Sequence, residues 1–598
     1  MKKGFFLIAV VVGLMACNPN SSTTGNPADS THQKLAAFFE QYHADNLRLF
    51  PLAATYEGDS RYNDLLPADF TDSYRDSLRK FYQRYSRELA AFDTAALNDE
   101  DKLSYRIFKY TMDVNIRGLA FHDNYIPLNQ FYGMQNTLGQ FAGGTGAQPF
   151  KTVADYDRWV QRVGAFKTWA DSAIIYFRKG MATGILLPKS LVIKIIPQMK
   201  AMATDTASYA RNLYYSPVLK FPASFSQPDK ERLTSSYKKM VNETIVPVFK
   251  KLAVFFEKEY LPVARQSSGI GAIPGGKELY AYLVYQQTTT TKTPDEIYTT
   301  GLAEVKRIRN LMDSVKNAVG FKGGLPAFFE YMKTDKQFMP YKKPQDVLDA
   351  FESIHTRMQP NLKKMFNHVP KTKFEIRQTE AFRAASASAE YSQGTADGSR
   401  PGIFYVPILD ATKFNTTSGM ESLFLHEAIP GHHYQISLQQ EDSSLPKFRR
   451  FGGQNAYVEG WALYCESLGK ELGLYTDPYQ YLGALGDEIH RAIRLVVDVG
   501  IHEKGMTREQ AIQYMTDNEA ISEEGATAEI ERYMAIPGQA LGYKVGALKI
   551  REIRTRAEKE LGSKFNIADF HDQVLKDGSM PLDLLEQKID AWIIKIKG

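Results

Sequence analysis

The segment from His426 to His433 carries the residue types of a metal-dependent hydrolase. It reads His-Glu-Ala-Ile-Pro-Gly-His-His. A His-Glu pair followed one helical turn later by a second His is the zinc-peptidase helix motif, in which two imidazoles bind the metal and the Glu is the base. Here Pro430 stands where that second His belongs. The sequence therefore indicates zinc chemistry, but with an altered spacing.

A regular helix cannot accommodate that spacing. On a straight helix, His432 would lie about 240° around the axis from His426, and His433 would lie about 10 Å farther along it. Zinc ligands, in contrast, lie about 2 Å from the metal. Pro430 has no backbone N–H to donate and its ring clashes with the preceding turn, while Gly431 tolerates unusual dihedral angles. We therefore predict a helix break here that returns either His432 or His433 to the metal.

A second segment, Tyr457 to Glu466, offers carboxylates within an apolar stretch that reads as a helix. Glu459 and Glu466 are seven residues apart, so they share one helix face. Burying an unpaired carboxylate is expensive, and a cation would offset that cost. Two His and one Glu with an open water position form a recognised catalytic zinc set. The alternative is a pair of solvated acids on a half-exposed helix.

The composition restricts the class of protein that carries these segments. The chain has 598 residues, of which 43% are hydrophobic and 24% are charged, as in ordinary globular proteins. Its net charge is +5 without a concentrated basic patch. We therefore expect no nucleic-acid partner.

The N-terminus has the features of an export signal. Two lysines and an apolar run too short for a membrane span lead into Leu-Met-Ala-Cys, which ends at Cys17. This sequence resembles the lipobox of bacterial lipoproteins. The resemblance implies a signal peptide over residues 1–16, a lipid on Cys17 as the only membrane attachment, and, from Asn18, the outer membrane of a Gram-negative cell. The alternative is a plain signal peptide with an incidental Cys.

The remaining chain predicts a mainly α fold. Residues 17–32 are polar and rich in turn formers, which predicts a flexible tether. From Gln33 onward, apolar residues recur at spacings of three and four. Thr293 to Glu296 is a favourable helix start, with a capping Thr, a Pro and two acids. We expect one large helical catalytic region over 33–598, with a deep cleft between two halves, 33–290 and the zinc-binding 291–598.

One short segment predicts a small β element near the active site. Ile403 to Val406 is bounded by Gly and Pro and is rich in β-forming residues. Phe404 and Tyr405 would then bind substrate, with the strand edge pairing with an extended peptide. The alternative is a purely structural hairpin.

Together, the two acidic and histidine-rich segments resemble the signature of the bacterial domain-of-unknown-function 885 family, and weaker matches extend over about residues 35 to 590. That family is grouped with zinc peptidases whose third ligand is Glu. The resemblance implies three zinc ligands, which are His426, His432 and Glu459. It also implies Glu427 as the catalytic base. His433 remains the rival second ligand, and Glu466 would hydrogen-bond a ligand histidine.

A peptidase of this kind also needs a donor for the oxyanion. The candidates are His502, Tyr533 and Tyr543. Asp498 lies four residues before His502, so on a helix it could orient that imidazole. Arg532 is a candidate for binding a substrate carboxylate, although it could equally pair with Glu529 or Glu531. Each of these residues also has the alternative of a structural role.

These observations predict an exported, lipid-anchored, zinc-dependent peptidase that hydrolyses peptide substrates with Glu427 as general base. One alternative is a ligand-binding outer-membrane lipoprotein without catalysis. Another is a zinc hydrolase that acts on non-peptide amides. Metal analysis separates the binding protein from the two enzymes, and digestion of a peptide library separates the enzymes from each other.

Overall fold

The structure of the chain is a computed structural model. It describes residues 27–143, 146–203, 209, 212–379, 388–395, 398, 400–417 and 419–598. Within these residues the protein is mainly helical with one small sheet, which confirms the predicted fold class. No helix in these ranges is both long and apolar enough to cross a bilayer. Cys17 and the predicted signal peptide lie outside the described residues.

The helices of the N-terminal part precede the predicted boundary at residue 290. They are α1 (Pro27–Leu49), α2 (Pro51–Tyr56), α3 (Asp72–Ala90), α4 (Asp99–Gly118), α5 (Met134–Ala142), α6 (Val153–Gly164), α7 (Phe166–Thr183), α8 (Lys189–Met202), α9 (Gln227–Met240), α10 (Val246–Phe255) and α11 (Gly276–Thr288). Helix α1 begins at Pro27 and not at Gln33, so the helical structure starts within the segment predicted as a tether.

The C-terminal part contains the remaining helices and the sheet. The helices are α12 (Pro294–Ala318), α13 (Leu325–Thr334), α14 (Pro344–Met365), α15 (Met420–Glu427), α16 (His432–Glu441), α17 (Lys447–Arg450), α18 (Asn455–Glu466), α19 (Pro478–His502), α20 (Arg508–Asn518), α21 (Glu523–Ala535), α22 (Leu541–Leu561), α23 (Ile567–Leu575) and α24 (Leu582–Lys597). The strands are β1 (Phe374–Gln378), β2 (Glu390–Ser392) and β3 (Gly402–Val406).

Local sequence determines where α12 begins. The Thr293 hydroxyl accepts a hydrogen bond from Glu296 N, and the Glu296 carboxylate accepts one from Thr293 N. This reciprocal capping box satisfies two backbone donors that the first helical turn leaves free. The predicted helix start is therefore confirmed, and it fixes the N-terminus of the helix that packs along α19.

Close backbone contact joins the helices around the site. A Cβ atom on Gly460 of α18 would lie 2.5 Å from the Cα atom of Gly546 on α22. A Cβ atom on Gly546 would lie 1.9 Å from Ala456 O. Both positions therefore require glycine, because any side chain would push the two helices apart. The contact brings Glu459 of α18 and Tyr543 of α22 onto one pair of packed helices.

The apolar core joins the two predicted halves. Its largest cluster includes Trp169 and Phe256 from the N-terminal part together with Ile489 and Ile493 from α19. A second cluster surrounds the sheet, α15 and α18. Helix α19 therefore lies within the protein, with apolar residues packed into the core and a separate polar face.

The sheet has the order β1-β3-β2, with β1 parallel and β2 antiparallel to β3. Because β3 is central and paired on both sides over Ile403–Tyr405, it has no free edge there, and the predicted pairing of this edge with a peptide is wrong. Phe404 is fully buried, and its ring packs against Phe424 of α15. The Tyr405 side chain lies beside Arg377. The sheet therefore supports the histidine-bearing helix from behind.

Candidate metal centre

The chain breaks between α15 and α16 where Pro430 and Gly431 predict it. Helix α15 ends at Glu427, the peptide bond before Pro430 is cis, and α16 begins at His432. A Cβ atom on Gly431 would lie 1.9 Å from His426 O, so only glycine fits this turn. Trp461 Nε1 donates a 2.8 Å hydrogen bond to Pro430 O and ties the turn to α18. The predicted helix break is confirmed.

The break brings His426 and His432 together against Glu459. The distance from His426 Nε2 to Glu459 Oε2 is 3.6 Å, and that from His432 Nε2 to the same oxygen is 3.5 Å. One ligand atom from each residue lies within 4.8 Å of the others. In a tetrahedral zinc site with ligands at 2.0–2.1 Å, neighbouring ligand atoms are about 3.4 Å apart. The spacing therefore suits a single ion.

The chemistry of these atoms also fits a cation. Glu459 Oε2 is buried and has no hydrogen-bond partner among the described residues. Buried polar atoms are nearly always paired, and an unpaired carboxylate oxygen is especially costly. Two imidazole nitrogens and one carboxylate oxygen are the donor set of a catalytic zinc site with an open position. The three residues present therefore fit zinc.

Electrostatics link the cluster to its neighbours. Burial lowers the pKa of His426, but its contacts with the carboxylates of Glu459 and Glu466 outweigh burial and raise this pKa to about 10. Burial raises the pKa of Glu459, and its contacts with His426 and His432 more than reverse this, leaving it well below its ordinary value. The cluster thus keeps a carboxylate ionised in a buried position, which is what a cation requires.

Glu466 occupies the supporting position predicted for it. Its Oε1 atom accepts a 2.7 Å hydrogen bond from His426 Nδ1. In the neutral ring that would bind a metal, this hydrogen bond keeps the proton on Nδ1 and leaves the lone pair on Nε2, the atom that faces Glu459. A carboxylate behind a ligand histidine fixes the tautomer and orientation of the ring. Glu466 therefore orients the His426 ring with Nε2 toward Glu459.

Glu427, the predicted base, is half-buried and is the last residue of α15. It directly follows His426, and its negative charge is among those that raise the pKa of the His426 ring. Its partial exposure leaves the residue accessible to water.

His433 points away from the cluster. Its Nδ1 atom lies 3.0 Å from the Tyr391 hydroxyl, and its ring packs against Phe374 with centroids 5.0 Å apart. It lines a separate cavity of about 510 Å³ together with His355. Burial lowers its pKa to about 4, so the ring is neutral. The structure thus brings His432, and not its neighbour, to His426.

His502 and Asp498 do not form the predicted pair. His502 Nδ1 accepts a hydrogen bond from Ile270 N at 3.0 Å, and its Nε2 donates to Tyr533 O at 3.1 Å. Asp498 instead accepts from the Tyr280 hydroxyl at 2.6 Å and from Gly538 N at 3.1 Å. The predicted role of His502 as oxyanion donor is wrong, because backbone groups occupy both ring nitrogens. The prediction that Asp498 orients the His502 imidazole is also wrong, because the Asp498 carboxylate has other partners.

Tyr533 and Arg532 are also committed to other partners. The Tyr533 hydroxyl donates to Glu529 Oε2 at 2.6 Å and accepts from Arg494 Nε at 2.8 Å. Arg532 pairs with Glu529 at 2.9 Å and donates to Gln539 Oε1 at 3.0 Å. Tyr533 is therefore corrected to a buried structural residue. For Arg532, the alternative of pairing with Glu529 is the one observed.

Tyr543 is the oxyanion-donor candidate that lies beside the cluster. It is half-buried on α22, and the Arg494 guanidinium carbon lies 4.7 Å from its ring centroid. Burial and then the nearby Glu459 carboxylate raise the pKa of its hydroxyl. The hydroxyl is therefore protonated at neutral pH and able to donate.

The sequence prediction missed the polar face of α19. His490 Nδ1 donates to Glu519 at 2.8 Å, and His490 Nε2 accepts from Arg494 Nη2 at 3.0 Å. Asp487 accepts a hydrogen bond from Ser422, which lies one turn before His426 on α15. The sequence does contain a signal for this face, because Asp487, His490, Arg491 and Arg494 are polar residues spaced three and four apart in an otherwise apolar helix.

A cavity of about 700 Å³ adjoins this face of α19. Asp487, His490 and Arg491 form one wall, and α12, α13 and the segment that joins α20 to α21 form the others. Because Asp487 is hydrogen-bonded to α15, the cavity lies beside the helix that carries His426.

Comparisons with known proteins give relatives without an assigned activity. The model of the family described as "Bacterial protein of unknown function (DUF885)" matches residues 51–589. The "putative lipoprotein from Colwellia psychrerythraea" is 29% identical with a TM-score of 0.85, covering 94% of this chain and 99% of that one. The "putative lipoprotein of unknown function from Shewanella oneidensis" is 20% identical with a TM-score of 0.72, covering 92% and 99%. The comparison with curated proteins gave no match.

Proposed function

The chain belongs to the bacterial family of unknown function DUF885, and we propose that it is a zinc-dependent peptidase. The observation that supports this most is the convergence of three ligand atoms, from His426, His432 and Glu459, within 4.8 Å of one another. The carboxylate oxygen among them is buried without a hydrogen-bond partner in the described chain. Such a site costs free energy unless a cation completes it.

The surrounding residues have the chemistry that peptide hydrolysis needs. A bound zinc ion would supply Lewis acidity and a water molecule whose pKa is lowered toward neutrality. Glu427 accepts the proton of the attacking water at its carboxylate and passes it to the leaving amine nitrogen. The Tyr543 hydroxyl donates a hydrogen bond to the carbonyl oxygen as negative charge develops on it. Glu466 keeps the His426 ring in one orientation.

The decisive test uses adjacent histidines. The full chain, purified in detergent, is expected to hold one zinc ion per molecule. His432→Asn should abolish zinc binding, whereas His433→Asn, one residue away and turned toward a different cavity, should retain it. Glu427→Gln should keep the zinc and lose hydrolysis of a peptide library, because it removes only the proton acceptor.

The outcomes separate the alternatives. Peptide turnover that survives thorough chelation would contradict a metal-dependent mechanism. A protein that binds no zinc and cleaves nothing would be a binding lipoprotein. A zinc-loaded protein that leaves every peptide intact, yet hydrolyses simple amides, would be an amidase of another kind.

We also propose that Cys17 carries the lipid that attaches the protein to the outer membrane. The support is the sequence that precedes Cys17, together with the similarity to the lipoprotein-named structure of Colwellia psychrerythraea. Cells given labelled palmitate should label the wild-type chain and not Cys17→Ser. Label that persists in the variant, or a wild-type chain found in the inner membrane after fractionation, would contradict this proposal.

A further inference from the structure

One face of α19 carries a row of residues toward the 700 Å³ cavity. Gly483, Asp487 and His490 line it at spacings of four and three residues, and Arg491 lies beside them. Residues at these spacings share one side of a helix. Arg494 is the next position in this row, one turn farther along and just beyond the cavity lining, and it is only 6% exposed. Two arginines therefore lie next to each other at the end of the row.

Arg494 has one donor group that no described residue of the protein accepts from. Its Nε atom donates to the Tyr533 hydroxyl at 2.8 Å, and its Nη2 atom donates to Glu529 at 3.1 Å and to His490 at 3.0 Å. Its Nη1 atom is buried and has no hydrogen-bond partner within the described ranges. A buried charged donor left without an acceptor is costly. It is therefore suited to an acceptor that arrives from outside the chain.

Arg491 repeats this pattern one turn earlier. Its Nε atom is buried and lacks a partner in the part of the chain that is described. Its ion pair with Asp487 spans 3.9 Å, which is too long for a hydrogen bond. The Asp487 carboxylate already accepts a hydrogen bond from Ser422. Two adjacent guanidinium groups thus have unused donors, and planar guanidinium groups bind carboxylates in preference to neutral groups.

Both arginines lie alongside the candidate metal centre. Asp487, one turn before Arg491, is hydrogen-bonded to the helix that carries His426. The Arg494 guanidinium stacks on the ring of Tyr543, whose helix packs directly against the helix of Glu459. The cavity is also lined by large apolar side chains, which include Met312, Leu325, Phe329, Met332 and Ile521, and by further charged residues, which include Arg309, Glu330, Asp517 and Glu519.

We propose that Arg491 and Arg494 bind the C-terminal carboxylate of a peptide whose last side chain is large and apolar and fills the cavity. This inference rests on the proposed peptidase function and narrows it to a carboxypeptidase. Hydrolysis of the last peptide bond adds one water molecule. It releases the C-terminal amino acid with a free amine and leaves a new carboxylate on the shortened peptide.

The test measures equilibrium binding with matched peptides. The full chain with Glu427→Gln, in detergent, is titrated with one peptide ending in Phe, prepared as the free acid and as the C-terminal amide. The amide should bind about 10- to 100-fold more weakly, because it loses charged hydrogen bonds. Arg491→Met should lower the free-acid affinity to that of the amide, and Arg491→Lys should restore part of it.

A matched control tests whether the effect depends on the position of the positive charge in the cavity. Lys333 is exposed and lines the same cavity, so Lys333→Met removes one positive charge away from the two arginines. The ratio of acid to amide affinity should not change in this variant. Arg494→Met provides a second test, with circular dichroism to confirm folding, because Arg494 also supports Tyr533 and Glu529.

The possible results separate a failure of the carboxylate subsite from a failure of the proposed peptidase function. Equal affinity for acid and amide would overturn the carboxylate subsite, and so would a loss of affinity on N-acetylation that exceeds the loss on amidation. Wild-type cleavage of acids and amides at equal rates would also overturn the subsite while leaving the peptidase intact. Preferential binding of the acid by a protein that cleaves no peptide would support the subsite and refute the peptidase.

Discussion

Replacement of Glu466 tests whether the carboxylate behind His426 contributes to metal affinity. Its hydrogen bond to His426 Nδ1 is 2.7 Å long and lies in the protein interior. A hydrogen bond to a charged group contributes about 1.5–3 kcal/mol. Loss of a carboxylate behind a metal-bound histidine typically weakens metal binding by about 10- to 100-fold, or about 1.4–2.7 kcal/mol. Glu466→Ala should therefore weaken zinc binding by that range.

Glu466→Gln should have a smaller effect, because the amide oxygen can still accept from His426 Nδ1 while the negative charge is lost. The assay is zinc competition against a chelator of known affinity, with thermal unfolding measured in parallel. Glu421→Gln is the matched control, since Glu421 is equally buried on α15 but pairs with Arg357. It should lower stability without changing zinc affinity. Equal zinc affinity in Glu466→Ala and wild type would refute the reasoning.

Three further predictions concern other parts of the structure. Gly431→Ala should lower the zinc content measured by metal analysis, because its Cβ would lie 1.9 Å from His426 O; full zinc content would contradict this. Burial raises the pKa of Asp498 to about 7, so the protonated group stabilises the fold at pH 4, and this contribution, up to about 4 kcal/mol, is lost as pH rises toward 7. The free energy of unfolding in urea should decrease less between pH 4 and pH 7 for Asp498→Asn than for wild type. Identical decreases in the two proteins would refute this contribution of Asp498. Burial raises the pKa of the Cys465 thiol, so a thiol reagent should label it only after unfolding; rapid labelling of the folded protein would count against its burial.

Parts of the site that depend on local sequence could be predicted. Pro430 cannot continue the helical hydrogen bonds and Gly431 permits dihedral angles that other residues avoid, so the helix break could be predicted without knowledge of the fold. The shared face of Glu459 and Glu466 followed from helix geometry alone. The choice between His432 and His433 was different, since it depends on the direction in which the chain leaves the turn, and Trp461 on another helix anchors that turn.

The predictions that failed assumed local partners where the actual partners are distant in sequence. Asp498 and His502 are four residues apart on one helix. Asp498 nevertheless accepts hydrogen bonds from Tyr280 and Gly538, and His502 accepts one from Ile270. Spacing along one helix does not show which other element packs against it. The β3 edge failed for the same reason, because its two neighbouring strands come from separate segments whose pairing no local pattern reveals.

The glycine contact between α18 and α22 has a consequence for how the protein can move. With Gly460 and Gly546 in backbone contact, the helix bearing Glu459 and the helix bearing Tyr543 cannot slide apart without losing close packing along both. These two side chains should therefore travel as one rigid unit. Any opening that admits a substrate must come from other elements, and the spacing between the Glu459 carboxylate and the Tyr543 hydroxyl is held by two residues that have no side chain.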